Sequence, residues 1–197
     1  MTNKIIFITG RKGSGKTTLA NRIANDYYLA GRRVICIAPM AGFDLSGAPT
    51  IFNRDELLSD KTDGRSFVLQ PPDDMTALLG IEFGYRLGHT VIVVDEIDLY
   101  ADCRAPHPLL LQIVRYGRHR AVSLIGISQR PANVVRDMTA QSDYIVMFQS
   151  TENRDLQYLA DRIGSDNAEA VRQLPQFEYL VYSAYAGGIV TDYDLIA

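Results

Sequence analysis

Eight residues near the amino terminus, Gly10-Arg11-Lys12-Gly13-Ser14-Gly15-Lys16-Thr17, fit the pattern G-x-x-x-x-G-K-[ST] at every defined position. The flanks constrain the fold as strongly as the motif does. An apolar run at 4–9 precedes it. Residues 16–30 follow, with Leu19, Ile23, Ala24 and Tyr27 on one helical face and Gly31 at the end. A strand that turns through glycines into a helix points successive backbone N–H groups, and the positive end of the helix dipole, at one place. That is a cradle for phosphate groups. Gly10, Gly13, Ser14, Gly15, Lys16, Thr17 and Thr18 are the candidate contacts. Lys16 would reach the β- and γ-phosphates of ATP, the Thr17 hydroxyl would hold Mg²⁺, and Thr18 would lie at the α-phosphate.

The rest of the chain alternates strand-like and helix-like segments. Strands are expected at 33–37, 66–69, 90–94, 122–127 and 144–148, and helices at 73–87, 108–116, 153–163 and 166–174. Residues 178–182 and 189–193, around Ala186-Gly187-Gly188, read as a terminal hairpin. The stretch 38–63 is rich in Pro, Gly and Asp and reads as irregular. Alternation of this kind implies an α/β fold, a mostly parallel sheet with helices on both faces. With the glycine motif, the expectation is a single P-loop NTPase domain of the RecA/ASCE-like kind over 1–197, closed by a C-terminal β-hairpin. The pattern leaves the strand order open.

Composition narrows the setting. Hydrophobic residues at 47% and charged residues at 22% suit a soluble chain with a real core. Apolar runs such as 91–94 are far too short to cross a bilayer. The start, Met1-Thr2-Asn3-Lys4, has no signal-peptide pattern, so the expected location is a cytoplasm, of a host cell or around a virion. Cys36 sits in an apolar run and Cys103 in a loop, which is no zinc cluster. A net charge of −3 argues against a broadly basic surface while leaving room for a basic pore lining.

A second motif is acidic. The apolar run 91–94 ends in Asp95-Glu96. In a parallel sheet that end lies near the phosphates, so Asp95 would hold Mg²⁺ through water, and Glu96 would polarise the water that attacks the γ-phosphate. Asp98 fits a helix N-cap. A third strand, 122–127, runs into Ser128-Gln129-Arg130-Pro131. A polar residue there would sit between the other two strand ends. Gln129 is either a turn residue or a hydrogen-bond partner of the attacking water and the γ-phosphate. Arg115, Arg118, His119 and Arg120 form the densest basic cluster. It reads as a solvated helix end, as DNA-phosphate contacts, or as the source of a guanidinium for the transferred phosphoryl group.

Several of these segments together resemble a known group. Asp95-Glu96, Gly117-Arg118-His119-Arg120, Gly126-Ile127-Ser128-Gln129-Arg130-Pro131, and 144–148 followed by Asn153-Arg154-Asp155 look like the HerA/FtsK superfamily of DNA-pumping ATPases. The resemblance covers most of 91–164 plus the nucleotide loop. It implies that Gln129 is the γ-phosphate sensor and that Arg118 reaches into a neighbouring subunit's site, with Arg115 or Arg120 as substitutes. It implies a homo-oligomeric ring, hexameric or pentameric. Without transmembrane segments, a winged-helix module or an amino-terminal barrel, the chain is expected to be a bare ATPase core. That is similar to the compact genome-packaging ATPases of tailless double-stranded DNA viruses with an internal membrane. The implied partners are double-stranded DNA, held without regard to sequence, and capsid or membrane-vertex proteins. The stretches 41–65 and 101–108 are the candidate pore elements.

Other readings share the nucleotide loop. One is a phage morphogenesis, secretion or conjugation ATPase. Another is a nucleoside or nucleotide kinase, with Arg154 and Arg162 on a lid, although Glu96 and Gln129 favour water as the acceptor. A non-hydrolysing switch is the third, and the full set Lys16, Thr17, Asp95 and Glu96 argues against it.

Overall fold

Aliphatic and β-branched runs build one sheet, and its central strands are buried on both faces, as parallel strands covered by helices are. In the computed structural model, which describes residues 3–40, 42–59, 62, 64–191 and 195, the strands are β1 (Ile5–Thr9), β2 (Arg33–Ile37), β3 (Thr50–Ile51), β4 (Phe67–Leu69), β5 (Thr90–Val94), β6 (Ser123–Ser128), β7 (Tyr144–Phe148), β8 (Tyr179–Ser183) and β9 (Gly188–Val190). Their order is β3-β4-β2-β5-β6-β1-β7-β8-β9. The strands from β3 to β7 pair in parallel, and β7-β8 and β8-β9 are antiparallel. The mostly parallel sheet and the C-terminal antiparallel strands are as the sequence led one to expect.

The helices are α1 (Lys16–Leu29), α2 (Arg54–Leu57), α3 (Asp74–Leu87), α4 (Pro108–Tyr116), α5 (Arg136–Gln141), α6 (Asn153–Ile163) and α7 (Ser165–Gln173). Alternate residues of each strand face opposite layers. Ile6 and Ile8 pack with Leu19, Ile23 and Tyr27 of α1, whereas Ile5 and Phe7 join the core shared with α3, α4, α6 and α7. Among the described residues no helix is long and apolar enough to cross a membrane.

Three features depart from the sequence reading. β3 and α2 form inside the stretch read as irregular, where Asn53 caps α2 by accepting a hydrogen bond from Glu56 N. α5 has six residues, too few to show a helical period. Asp98 is not a helix N-cap. It lies within a 3-10 turn (Ile97–Leu99), and α4 starts nine residues further on behind His107, whose Nδ1 accepts from Leu109 N at 3.3 Å. Of the expected segments, positions 1–2, 41, 60, 61 and 63, and 192–193 of the hairpin lie outside the described residues.

Candidate active site

The strand order decides what meets what. β6 lies between β5 and β1, and all three are parallel, so Asp95-Glu96, Gln129 and the 10–17 loop leave the sheet at the same edge. The polar end of β6 thus stands between the other two, as the sequence suggested.

The loop is shaped by its glycines and by β7. Gly10 has φ 144°, and a Cβ there would lie 2.6 Å from Phe148 Cβ, so no other residue fits. Arg11 N donates to Gln149 O at 2.8 Å, which ties the loop to the end of β7. Gly15, with φ 102°, precedes α1 and gives it no side-chain cap, which leaves first-turn N–H groups of the helix open. The buried hydroxyls of Ser14 and Thr9 have no hydrogen-bond partner among the described residues. Uncapped N–H groups and orphaned buried hydroxyls fit a polyphosphate in this cradle.

Lys16 is 7% exposed, and its Nζ donates to Arg11 O at 2.8 Å. Burial holds its pKa below the usual lysine value, opposed by the nearby Glu96 and Asp95 carboxylates. Asp95 N donates to Ile37 O at 2.9 Å, and its carboxylate accepts from Glu96 N at 3.1 Å. Burial first, and repulsion by Glu96 second, push the Asp95 pKa above the ordinary carboxylate value. Two half-buried acids and the buried Lys16 ammonium therefore influence one another, and the paired carboxylates favour a bound cation. The half-buried Thr17 and the Asp95 carboxylate offer oxygen donors only, the set that suits Mg²⁺. Among the described residues no cluster of three or more His, Cys, Asp or Glu could hold a metal. A cation at Thr17 and Asp95 would complete its shell from phosphate and water.

Glu96 has φ 51°, left-handed for a non-glycine residue. Its Oε1 accepts a hydrogen bond from Gln129 Nε2 at 2.5 Å. A carboxylate and an amide joined in this way can fix a water between them and sense what lies beyond it. The turn carrying Gln129 is anchored from beneath. Asp155, 1% exposed in the first turn of α6, accepts from Ala132 N at 3.2 Å and pairs with Arg130 Nε at 2.8 Å. Burial raises the Asp155 pKa, while the Ala132 N–H and Arg130 pull it the other way. Arg154 Nη2 donates to Ala132 O at 3.2 Å, and Arg162 lies over the Tyr182 ring at 5.0 Å.

The basic cluster divides sharply. Arg115 pairs with Asp137 at 2.6 Å. Arg120 donates to Tyr85 O at 2.9 Å and Arg86 O at 2.6 Å, closing the end of α3. The Arg118 side chain is exposed and has no hydrogen bond or ion pair among the described residues. It lines a cleft with Asn3, Ile5 and Asp143, at the amino end of β1. The phosphate loop follows the other end of that five-residue strand. At about 3.3 Å per residue the two are on the order of 15 Å apart.

Sequence reading missed the aromatic side of the loop. Phe148 and Tyr179 pack with ring centroids 5.0 Å apart, Phe177 Cδ1 lies 3.3 Å from where a Gly15 Cβ would be, and Gln176 Nε2 donates to Gly13 O at 3.3 Å. These residues are more than 130 positions from the loop in sequence, and no spacing rule connects them.

Glycine loop, acid pair and intervening polar strand end define a P-loop ATPase. The AAA domain family model matches residues 1–131, and the chain belongs to that family. The genome packaging NTPase B204 from Sulfolobus turreted icosahedral virus 2, in complex with AMPPCP, is 21% identical, with a TM-score of 0.77 over 95% of this chain and 96% of its own. The same protein in complex with sulfate gives 22% and 0.78, over 96% of each chain. VirB4 of Thermoanaerobacter pseudethanolicus is 15% identical, with a TM-score of 0.70 over 92% of this chain and 87% of its own. At these identities the likeness is one of fold. No curated protein matches the sequence.

Proposed function

We propose that this chain is an ATP-hydrolysing, double-stranded DNA translocase of the HerA/FtsK type that pumps a viral genome into a preformed capsid. In this reading the 10–17 loop and Thr18 bind the nucleotide and Lys16 neutralises the β- and γ-phosphates. Thr17 and Asp95 hold Mg²⁺, which would supply Lewis-acid stabilisation of the phosphate charge. Glu96 takes the proton of the attacking water, and Gln129 orients that water and reports on the γ-phosphate.

The observation that carries the motor reading is the position of Arg118. Among the described residues its guanidinium is free, and it stands at the far end of β1 from its own loop, which supports a role at the phosphates of a neighbouring copy rather than at its own. A residue used in this way calls for a homo-oligomeric ring, a hexamer or a pentamer, with each site completed by a neighbour. The fold shared with a genome packaging NTPase supports DNA as the cargo. Contacts to the duplex would be to phosphates, indifferent to sequence and weakened by salt. Capsid or membrane-vertex proteins would be further partners, in a host cytoplasm or at the virion.

The test is steady-state phosphate release, with and without double-stranded DNA, for wild type, Glu96→Gln, Arg118→Ala and a mixture of the two variants. DNA-stimulated turnover, lost in each variant and partly restored on mixing, is the expected result. Negligible release with DNA, together with phosphorylation of an added nucleoside, would make this a kinase instead.

A further inference from the structure

Beside the start of α1 lies a cleft of about 330 Å³ that runs on from the phosphate contacts at Gly15 and Thr18. Gly15, Thr18, Arg22, Phe148, Phe177 and Tyr179 line it, with Leu19. Its size is at the lower end for small-molecule pockets, which run from about 300 Å³ upward.

Phe177 is the unusual member. Its ring is 65% exposed although it borders the loop. Its backbone is left-handed, with φ 70°, in a turn closed by Glu178 N donating to Pro175 O at 3.2 Å. That turn position favours Gly or Asn, and a bulky residue there is strained. An exposed aromatic ring and a strained backbone are two costs, and the ring's contact with the loop at Gly15 leaves most of its surface open. Both make sense if the ring has a flat apolar partner that arrives with the phosphates.

We propose that Phe177, with Arg22 beside it, is the platform for the base of the bound nucleotide, and that it accepts adenine and guanine alike. The inference rests on the nucleotide-site reading above. Arg22 follows Thr18 by one helical turn, so the two share a face, and the Arg22 side chain has no hydrogen bond or ion pair among the described residues. A guanidinium only donates, and both purines present N7 as an acceptor. Adenine and guanine differ at positions that need a dedicated acceptor or donor to read. Among the described residues the lining side chains include no carboxylate and no amide, and the hydroxyls of Thr18 and Tyr179 both donate and accept. A site without such a dedicated group discriminates weakly.

The experiment is calorimetric titration of the full chain with ATP, GTP and inorganic tripolyphosphate, each with Mg²⁺, for wild type, Phe177→Ala and Phe177→Asn. Asn suits the left-handed backbone, so that variant removes the ring without adding strain. Wild type should bind ATP and GTP within about five-fold of each other. Both should bind about ten-fold or more tighter than tripolyphosphate, the gain expected from stacking on one aromatic face. Either variant should close most of that gap. A gap unchanged in both variants, or a preference of about a hundred-fold for one purine, overturns the platform while the phosphate loop stands. Binding of none of the three ligands overturns the nucleotide-site reading and this proposal with it.

Discussion

Gln129 Nε2 donates to Glu96 Oε1 at 2.5 Å, joining the ends of the neighbouring strands β6 and β5. If this pair handles the attacking water, then Glu96→Gln should keep the contact, because an amide oxygen at 96 still accepts from Gln129, and should lose only the base. Phosphate release should fall by about 100-fold or more, with nucleotide affinity retained. Single-turnover kinetics beside a binding titration would check this, and wild-type turnover in the variant would remove Glu96 from the chemistry.

Asp95 gives a prediction with a sign. Its folded pKa is raised, so the folded state holds that proton more tightly than the unfolded chain does. Its contribution to stability is therefore present at low pH and is lost as pH rises through and above the ordinary carboxylate range. Asp95→Asn should raise the melting temperature of the nucleotide-free protein at pH 7, by an amount that shrinks toward pH 4. With Mg²⁺ and ATP the order should reverse, because only the carboxylate gains from the cation. Thermal melts across pH, with and without Mg-ATP, would decide it.

Asp155 anchors the turn that carries Gln129 through Ala132 N and Arg130. Asp155→Ala strands the buried N–H and should cost about 1–3 kcal/mol. Asp155→Asn should cost less, since its amide oxygen can still accept from Ala132 N. Urea denaturation gives both values, and equal stability of all three proteins would contradict this anchoring.

Arg118 and Arg120 are two positions apart and should behave oppositely. Arg120→Ala loses two hydrogen bonds to the last carbonyls of α3 and should destabilise by about 1–2 kcal/mol. Arg118→Ala should stay within about 0.5 kcal/mol of wild type while losing turnover. If denaturation instead finds Arg118→Ala the more damaging of the two, the residue is structural and the trans assignment falls.

Gly10→Ala places a Cβ 2.6 Å from Phe148 Cβ at a φ of 144°. The strain should cost about 1–3 kcal/mol and displace the loop. A melting curve and a nucleotide titration would show both losses together.

The central sheet was legible because its strands are continuous apolar runs and its motifs sit at their ends. Thr90–Val94 and Tyr144–Phe148 form where the pattern put them. β3 and α2 were not legible, since two-residue and four-residue elements carry no period. In the site, the loop and Asp95-Glu96 announce themselves by spacing. The segment Asn153-Arg154-Asp155 was recognised only by resemblance. Its physical task, a buried carboxylate under the Gln129 turn, depends on a contact between the 3-10 turn that follows β6 and α6, which no local pattern encodes. Asp98 misled because a polar residue after a strand looks the same in sequence whether a helix follows at once or after a long loop.

The outermost strands of the sheet are short, two residues at β3 and three at β9. Each edge exposes too little unpaired backbone to template another strand, a common guard against fusion of sheets. Among the described residues, copies of this chain therefore have no lateral seam to zip along. In the ring proposed above, copies would meet through side chains, at strand ends and helix surfaces, and contacts of that kind could loosen and re-form in each cycle without unravelling the sheet that holds the chemistry.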